Sequence, residues 1–253
     1  MFITNIPIID YCFGPVLVTT RVRNDFAKEI TMNDPSSRRD WIKKTLGAAT
    51  VMVGTPALAQ MCRLTPRQGE GPYYPEADLN RDSNLVEFRP GLRPEGFLIY
   101  LSGVVRGPDC QPIKDAVVEI WQASARGRYN HTQDPNTDIP LDPNFQYWGR
   151  GRTTEKGAYL FKTIIPGHYE VGGGRFRPPH IHVKVHARGF YSLTSQIYFD
   201  PRSYDDPKLA SVVAKLNAAE NVPESLMVLY RPSSRRIEVG AKLGRFNFTL
   251  RPN

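Results

Sequence analysis

The segment Arg177-Pro178-Pro179-His180-Ile181-His182-Val183-Lys184-Val185 carries the densest chemistry in the chain. Ile181, Val183 and Val185 alternate with His180, His182, Lys184 and His186, the period-two pattern of a β-strand. The aliphatic side chains can enter a core while His180 and His182 project together from the opposite face. Two neutral imidazoles side by side on a rigid element make half of a metal site. The solvent face of an edge strand can carry the same pattern, so the pair gains meaning only with further donors.

Two upstream tyrosines can supply them. Tyr129 lies in Ala125-Arg126-Gly127-Arg128-Tyr129-Asn130-His131, just after a strand-like run. Tyr169 lies in Ile165-Pro166-Gly167-His168-Tyr169, just before Gly172-Gly173-Gly174. Either alone reads as an ordinary half-buried tyrosine. Their order ahead of the His-x-His pair is what points to a metal.

That order resembles the intradiol ring-cleavage dioxygenases, most closely the protocatechuate 3,4-dioxygenase-like branch. The matching pieces are Gly127-Arg128-Tyr129, Leu141-Asp142-Pro143-Asn144-Phe145, Gly149-Arg150-Gly151-Arg152-Thr153 and Gly157-Ala158-Tyr159. They continue with Thr163-Ile164-Ile165-Pro166-Gly167-His168-Tyr169, Arg177-Pro178-Pro179-His180-Ile181-His182 and Gln196-Ile197-Tyr198-Phe199. Gly71-Pro72-Tyr73-Tyr74 fits more loosely. The resemblance implies that Tyr129, Tyr169, His180 and His182 hold a mononuclear Fe(III). It also implies that Arg177 lies beside bound substrate and that Gln196 supports the site from behind. Fe(III) is a hard cation suited to anionic oxygen, and a bound metal pulls a phenol well below its free pKa of about 10.

The implied reaction takes a catechol-type substrate and O2. Tyr169 acts as a built-in base, Arg177 stabilises an electron-rich intermediate, and ring cleavage between the hydroxylated carbons gives a muconate-type dicarboxylate. No organic cofactor is implied. Two positions depart from the family pattern, which often has Pro after the second tyrosine and Trp before Arg-Pro; here they are Glu170 and Phe176. These departures and the glycine-rich loop bear on the shape of the substrate pocket. His168 reads as a solvated loop residue.

The elements that must position these groups are short. Twenty-two prolines and 20 glycines in 253 residues argue for many turns. Strand-like runs fall at 97–105, 115–122, 158–164, 180–187, 194–199, 225–230, 235–240 and 245–250. They predict an all-β fold, an antiparallel β-sandwich with an extended N-terminal arm and one short helix. The helix is 206–219, with Asp206 as N-cap, Pro207 at the first position, and Leu209, Val212, Val213 and Leu216 on one side. Residues 60–96, rich in Pro and Arg, form the arm, and 97–253 form the catalytic domain.

Residues 1–59 read as an N-terminal extension and export signal. Ser37-Arg38-Arg39-Asp40-Trp41-Ile42-Lys43 precedes a mildly apolar stretch ending Ala57-Leu58-Ala59, as in a twin-arginine signal peptide. The stretch is too short for a permanent membrane span. The expected destination is periplasmic or extracellular, and Met32 is the expected start. The net charge is +8; residues 1–59 carry seven basic and five acidic side chains, so their removal leaves +6. The basic residues are scattered, without a stripe or recognition-helix pattern, which argues against nucleic acid. None of Cys12, Cys62 and Cys110 forms a CxxC pair. Cys62 and Cys110 are open to two readings, a disulfide or two buried thiols. The chain is expected to be an oligomer of unspecified composition.

Two other readings compete. A cupin-type site wants a glutamate three or four residues after His182, but His186 stands at the fourth position and no glutamate follows until Glu220. A transthyretin-like or carbohydrate-binding β-sandwich explains the strands but not the ordered tyrosines.

Overall fold

The computed structural model describes residues 61–76, 82–87, 89–233 and 237–253, all within one compact unit, Pro56–Asn253. The export signal, Met32 and Cys12 lie outside the described residues. Among the described residues the regular structure is β except for one α-helix and two short 3-10 turns. In chain order the elements are β1 (Leu98–Arg106), β2 (Val117–Trp121), β3 (Trp148–Arg152), β4 (Ala158–Ile164), β5 (Tyr169–Glu170), β6 (Phe176–Arg177), β7 (His180–His186) and β8 (Leu193–Phe199). The helix α1 (Pro207–Ala219) follows, then β9 (Met227–Val228), β10 (Arg231–Pro232), β11 (Lys242–Arg245) and β12 (Phe248–Thr249). None of the described helices is long and apolar enough to cross a membrane.

One five-stranded sheet centres on β1, with β4 on one side, β11 and β12 on the other, and β10 outside β11. The second has the order β3-β2-β7-β8-β9. A single buried cluster takes side chains from both, including Ile99 and Leu101 of β1, Phe161 of β4, Val118 and Ile120 of β2, and Ile197 of β8. Ile181, Val183 and Val185 of β7 join it with no exposed surface. Each contributes roughly 1.5–3 kcal/mol, enough to fix the register, because a slip by one residue would turn the histidines inward.

The pairing departs from the antiparallel expectation. β1 runs parallel to β11 and β12, and β8 runs parallel to β9. The long excursion through α1 returns the chain in the direction of its partners, which a tight hairpin cannot do. Of the run 235–240, the described residues 237–240 form no strand: they turn, Gly240 has φ +82°, and the ladder begins at Lys242. Within 225–230 only Met227–Val228 pairs, after a 3-10 turn at Glu224–Leu226.

The helix starts as expected, with the Asp206 carboxylate accepting from the Lys208 amide. Its buried face agrees in part: Val213 is buried and Leu209 and Leu216 are half-buried, but Val212 is exposed and Asn217 is buried. Asn217 donates to the Phe199 carbonyl at 3.0 Å, so a polar contact takes the place expected of an aliphatic one. Cys62 and Cys110 are joined in a disulfide, the first of the two readings left open. Residues 61–76 have no regular structure; Thr65 and Gln68 donate backbone bonds to Thr249 and Thr194.

Candidate metal centre

The outward face of β7 is organised in rungs. His182 stands opposite Trp121 of β2 and Gln196 of β8, and Trp121 stands opposite Trp148 of β3. The Trp121 and His182 rings stack at 4.9 Å with 7° between planes. One rung away, His180 faces Tyr198. Both histidines are buried, and their Nε2 atoms lie 3.0 Å apart. His180 Nδ1 sits 2.7 Å from the Pro178 carbonyl, which can only accept, so this nitrogen carries the proton and Nε2 keeps its lone pair. Burial pushes His180 down to about 3, and burial with its charged neighbourhood puts His182 well below the ordinary range. Both rings are neutral imidazoles, the form that binds metal.

Tyr129 and Tyr169 come from two loops that meet backbone to backbone. Gly127 has φ +83°, and a Cβ there would lie 2.3 Å from the His168 carbonyl oxygen. Gly167 donates to Ser124 O at 2.9 Å across the same junction. The Gly-Arg-Tyr and Pro-Gly-His-Tyr motifs therefore have a steric reason: side chains at these glycines would force the tyrosine loops apart. Asp134, buried beyond Tyr129, accepts the Tyr129 amide at 2.6 Å and locks that loop. The short hairpin β5–β6 pairs Tyr169 with Arg177 and Glu170 with Phe176. Glu170 also accepts the Gly174 amide at 2.9 Å, and Phe176 is largely exposed, so both departures shape the hairpin and its rim.

The four donors converge. The Tyr129 and Tyr169 rings meet edge to face at 5.2 Å, and the Tyr169 hydroxyl lies 3.5 Å from His180 Nε2. The buried Tyr129 hydroxyl has no hydrogen-bond partner among the described residues, an expensive state for a polar group unless something else satisfies it. Burial raises Tyr129 well above the ordinary phenol value, and Tyr169 is pushed up to about 12 by burial against the pull of Arg177. Phenolates here require a compensating cation. Among the described residues no group of three or more His, Cys, Asp and Glu could hold a metal, so a metal at this place has to take the phenol oxygens. Two phenols and two neutral imidazoles are a donor set suited to a hard trivalent cation.

Arg177 lies beside this set. Its Nη2 donates to Gln196 Oε1 at 2.8 Å and to the Tyr198 hydroxyl at 3.3 Å. Gln196 in turn donates to the Gly69 carbonyl at 2.8 Å. All six residues expected from the sequence thus share one neighbourhood. His168 is half-buried, with its ring against Phe176.

Sequence reasoning missed an aromatic wall and an acid. Tyr73 packs against Tyr129 at 4.5 Å with the rings tilted by 33°, and Tyr74 packs edge-on to Trp121 at 5.0 Å. With Ala123 and Trp148 these aromatics form a second buried cluster around the tyrosines. A Cβ on Gly71 would lie 3.2 Å from His182 Cε1, so the 69–74 segment passes directly over that ring. The signals were faint: the loosely fitting Gly71-Pro72-Tyr73-Tyr74 motif, and Tyr198 two residues from Gln196 on one strand face. Glu220, which binds Arg177, had no sequence signal.

A family model described as Dioxygenase matches residues 69–252. The protocatechuate 3,4-dioxygenase beta chain of Burkholderia cepacia is 43% identical over 119 residues, 45% of this chain and 50% of that protein. The catechol 1,2-dioxygenase of Acinetobacter baylyi is 34% identical over 157 residues, 56% of this chain and 49% of that protein. The chain therefore spans about half the length of these curated relatives. Among solved structures, the dioxygenase domain of a dioxygenase carbohydrate-binding protein fusion from Streptomyces sp. SirexAA-E aligns over 76% of this chain and 100% of that one. The TM-score is 0.54 at 28% identity.

Proposed function

The chain belongs to the intradiol ring-cleavage dioxygenases, and from that premise we propose that it cleaves a catechol-type ring between its two hydroxylated carbons with O2. The product is a muconate-type dicarboxylate carrying both oxygen atoms of O2. The substrate is protocatechuate-like, a reading supported by the 43% identity to the beta chain. Tyr129, Tyr169, His180 and His182 hold Fe(III). The observation that carries the proposal is the convergence of these four buried donors, with the Tyr129 hydroxyl unpartnered.

A ferric ion held by these four residues would supply Lewis acidity, favouring deprotonation of an ortho-diphenol and activating its ring toward O2. Tyr169 is the proton acceptor. Burial makes its phenolate a strong base, and Arg177 opposite it on the β5–β6 hairpin favours the anion until a substrate proton arrives. His180 and His182 stay neutral, with His180 fixed in one tautomer by Pro178. Arg177 stabilises negative charge that develops on the ring. Tyr73, Trp121 and Trp148 exclude water, which strengthens each of these interactions.

We read the fold as a β-sandwich with residues 60–96 as its N-terminal arm, a reading supported by the two sheets that share one core. Residues 1–59 direct export by the twin-arginine route to the periplasm or beyond, and the working protein is an oligomer. The test is turnover of catechol and protocatechuate by the iron-loaded protein under 18O2. A ring-opened dicarboxylate with two labelled atoms is expected. A semialdehyde from cleavage outside the diol, or an untouched diphenol, would refute the proposal.

A further inference from the structure

We propose that Glu220 is a positioning residue for the reaction, holding Arg177 in its working orientation. The inference rests on the reading of Arg177 as the cation beside the substrate. The two carboxylate oxygens of Glu220 engage the guanidinium as a fork: Oε2 accepts from Nε at 2.9 Å, and Oε1 lies 2.5 Å from Nη2. Nη2 also serves Gln196 and Tyr198. Nε and Nη2 are thus committed, and Nη1 is the guanidinium nitrogen with no acceptor among the described residues. A planar group fixed through two of its nitrogens presents the third in one direction. Arg177 stands close enough to bias the protonation of Tyr129, Tyr169, His180 and His182.

Glu220 is itself firmly placed. It is the residue at which α1 stops: its amide bonds back to Leu216 and Ala218, and Asn221 follows in the left-handed region at φ +52°. The last turn is tied to β8 by the bond from Asn217 to the Phe199 carbonyl. The helix therefore delivers a carboxylate from outside the sheet to an arginine on the β5–β6 hairpin. Both side chains keep about a quarter of their surface exposed, so the pair adds little to stability, and its value lies in orientation. Without Glu220 the long arginine side chain gains freedom to swing toward solvent.

The experiment compares E220A, E220Q, R177A and the double variant R177A/E220A in the iron-loaded protein. The expected result for E220A is a kcat loss of about 10- to 100-fold with KM changed by less than about threefold. E220Q, which keeps an acceptor, recovers to within about fivefold of wild type. R177A/E220A loses little more than R177A alone, because Glu220, whose charge also bears on Tyr169 and Tyr198, acts chiefly through Arg177. A readout independent of iron and turnover is the Arg177 Nε–H resonance, which should move upfield and broaden in E220A and be largely restored in E220Q. Additive losses, wild-type turnover in E220A, or an unmoved Nε–H resonance would overturn the proposal alone. An R177A variant with wild-type turnover would overturn the reading of Arg177 and this proposal with it. If the wild type turned over no diphenol, the proposed reaction would fall, while the resonance would still decide whether Glu220 fixes Arg177.

Discussion

Replacing Gly127 by alanine should damage the site without touching any group that reacts. The added Cβ would begin 2.3 Å from the His168 carbonyl oxygen, whereas real Cβ contacts essentially never fall under 3.0 Å. The loops must therefore separate by at least about 0.7 Å. Holding alanine at φ +83° adds about 1–2 kcal/mol of backbone strain. Relief of the overlap and loss of the Gly167 to Ser124 bond add about 1–2 kcal/mol more, giving a total near 2–4 kcal/mol. Because Gly127 and His168 each stand within two residues of a tyrosine donor, the displacement falls on the Tyr129–Tyr169 spacing. Metal sites tolerate only about ±0.2 Å in donor distances, so iron affinity should fall along with stability. Urea unfolding of G127A against wild type measures the first effect, and iron retained after dialysis against a weak chelator measures the second. A stability change under about 0.5 kcal/mol together with full iron retention would refute the junction's role.

Three further outcomes follow from the same geometry. The metal-free protein should lose stability as pH falls from about 6.5 toward 3, because unfolded histidine takes a proton in that window while buried His180, pushed down to about 3, does not. The contribution is on the order of 4 kcal/mol for His180 and in the same direction for His182; the urea midpoint against pH should flatten in H180N. Breaking the Cys62–Cys110 link with C62A/C110A, which opens a loop of 48 residues, should cost about 2–4 kcal/mol, read as a lower Tm that no longer responds to reductant. R150M leaves the buried Glu119 carboxylate without the guanidinium 2.5–2.7 Å away and should cost about 1–3 kcal/mol, most of it recovered in R150M/E119Q.

The chemistry was more legible in the sequence than the topology. The alternation around His180 and His182 identified a strand with one aliphatic face, and β7 carries it with Ile181, Val183 and Val185 in the core. β3 was read only as a Gly-Arg motif, since glycine has low strand propensity. Its glycines are needed because 82–87 crosses that face: a Cβ on Gly149 would lie 2.5 Å from Leu85 and 2.6 Å from the Asp82 carbonyl. The parallel return of β11 and β12 to β1 depends on a chain reversal that leaves no local pattern. The disulfide was one of two open readings, because cysteine spacing alone does not bring Cys62 to Cys110. The contact of Glu220 with Arg177, 43 residues away, depends on how α1 docks, which a helical pattern does not specify.

The central claim is that Tyr129 and Tyr169 hold ferric iron with His180 and His182. The most direct measurement is the visible and resonance Raman spectrum of the iron-loaded wild type, Y129F and Y169F, before and after anaerobic addition of catechol and protocatechuate. A broad tyrosinate-to-iron band is predicted in the wild type, altered in each variant and shifted by the diphenol that the site accepts. An iron-loaded protein without such a band, or a band identical in all three proteins, would contradict it.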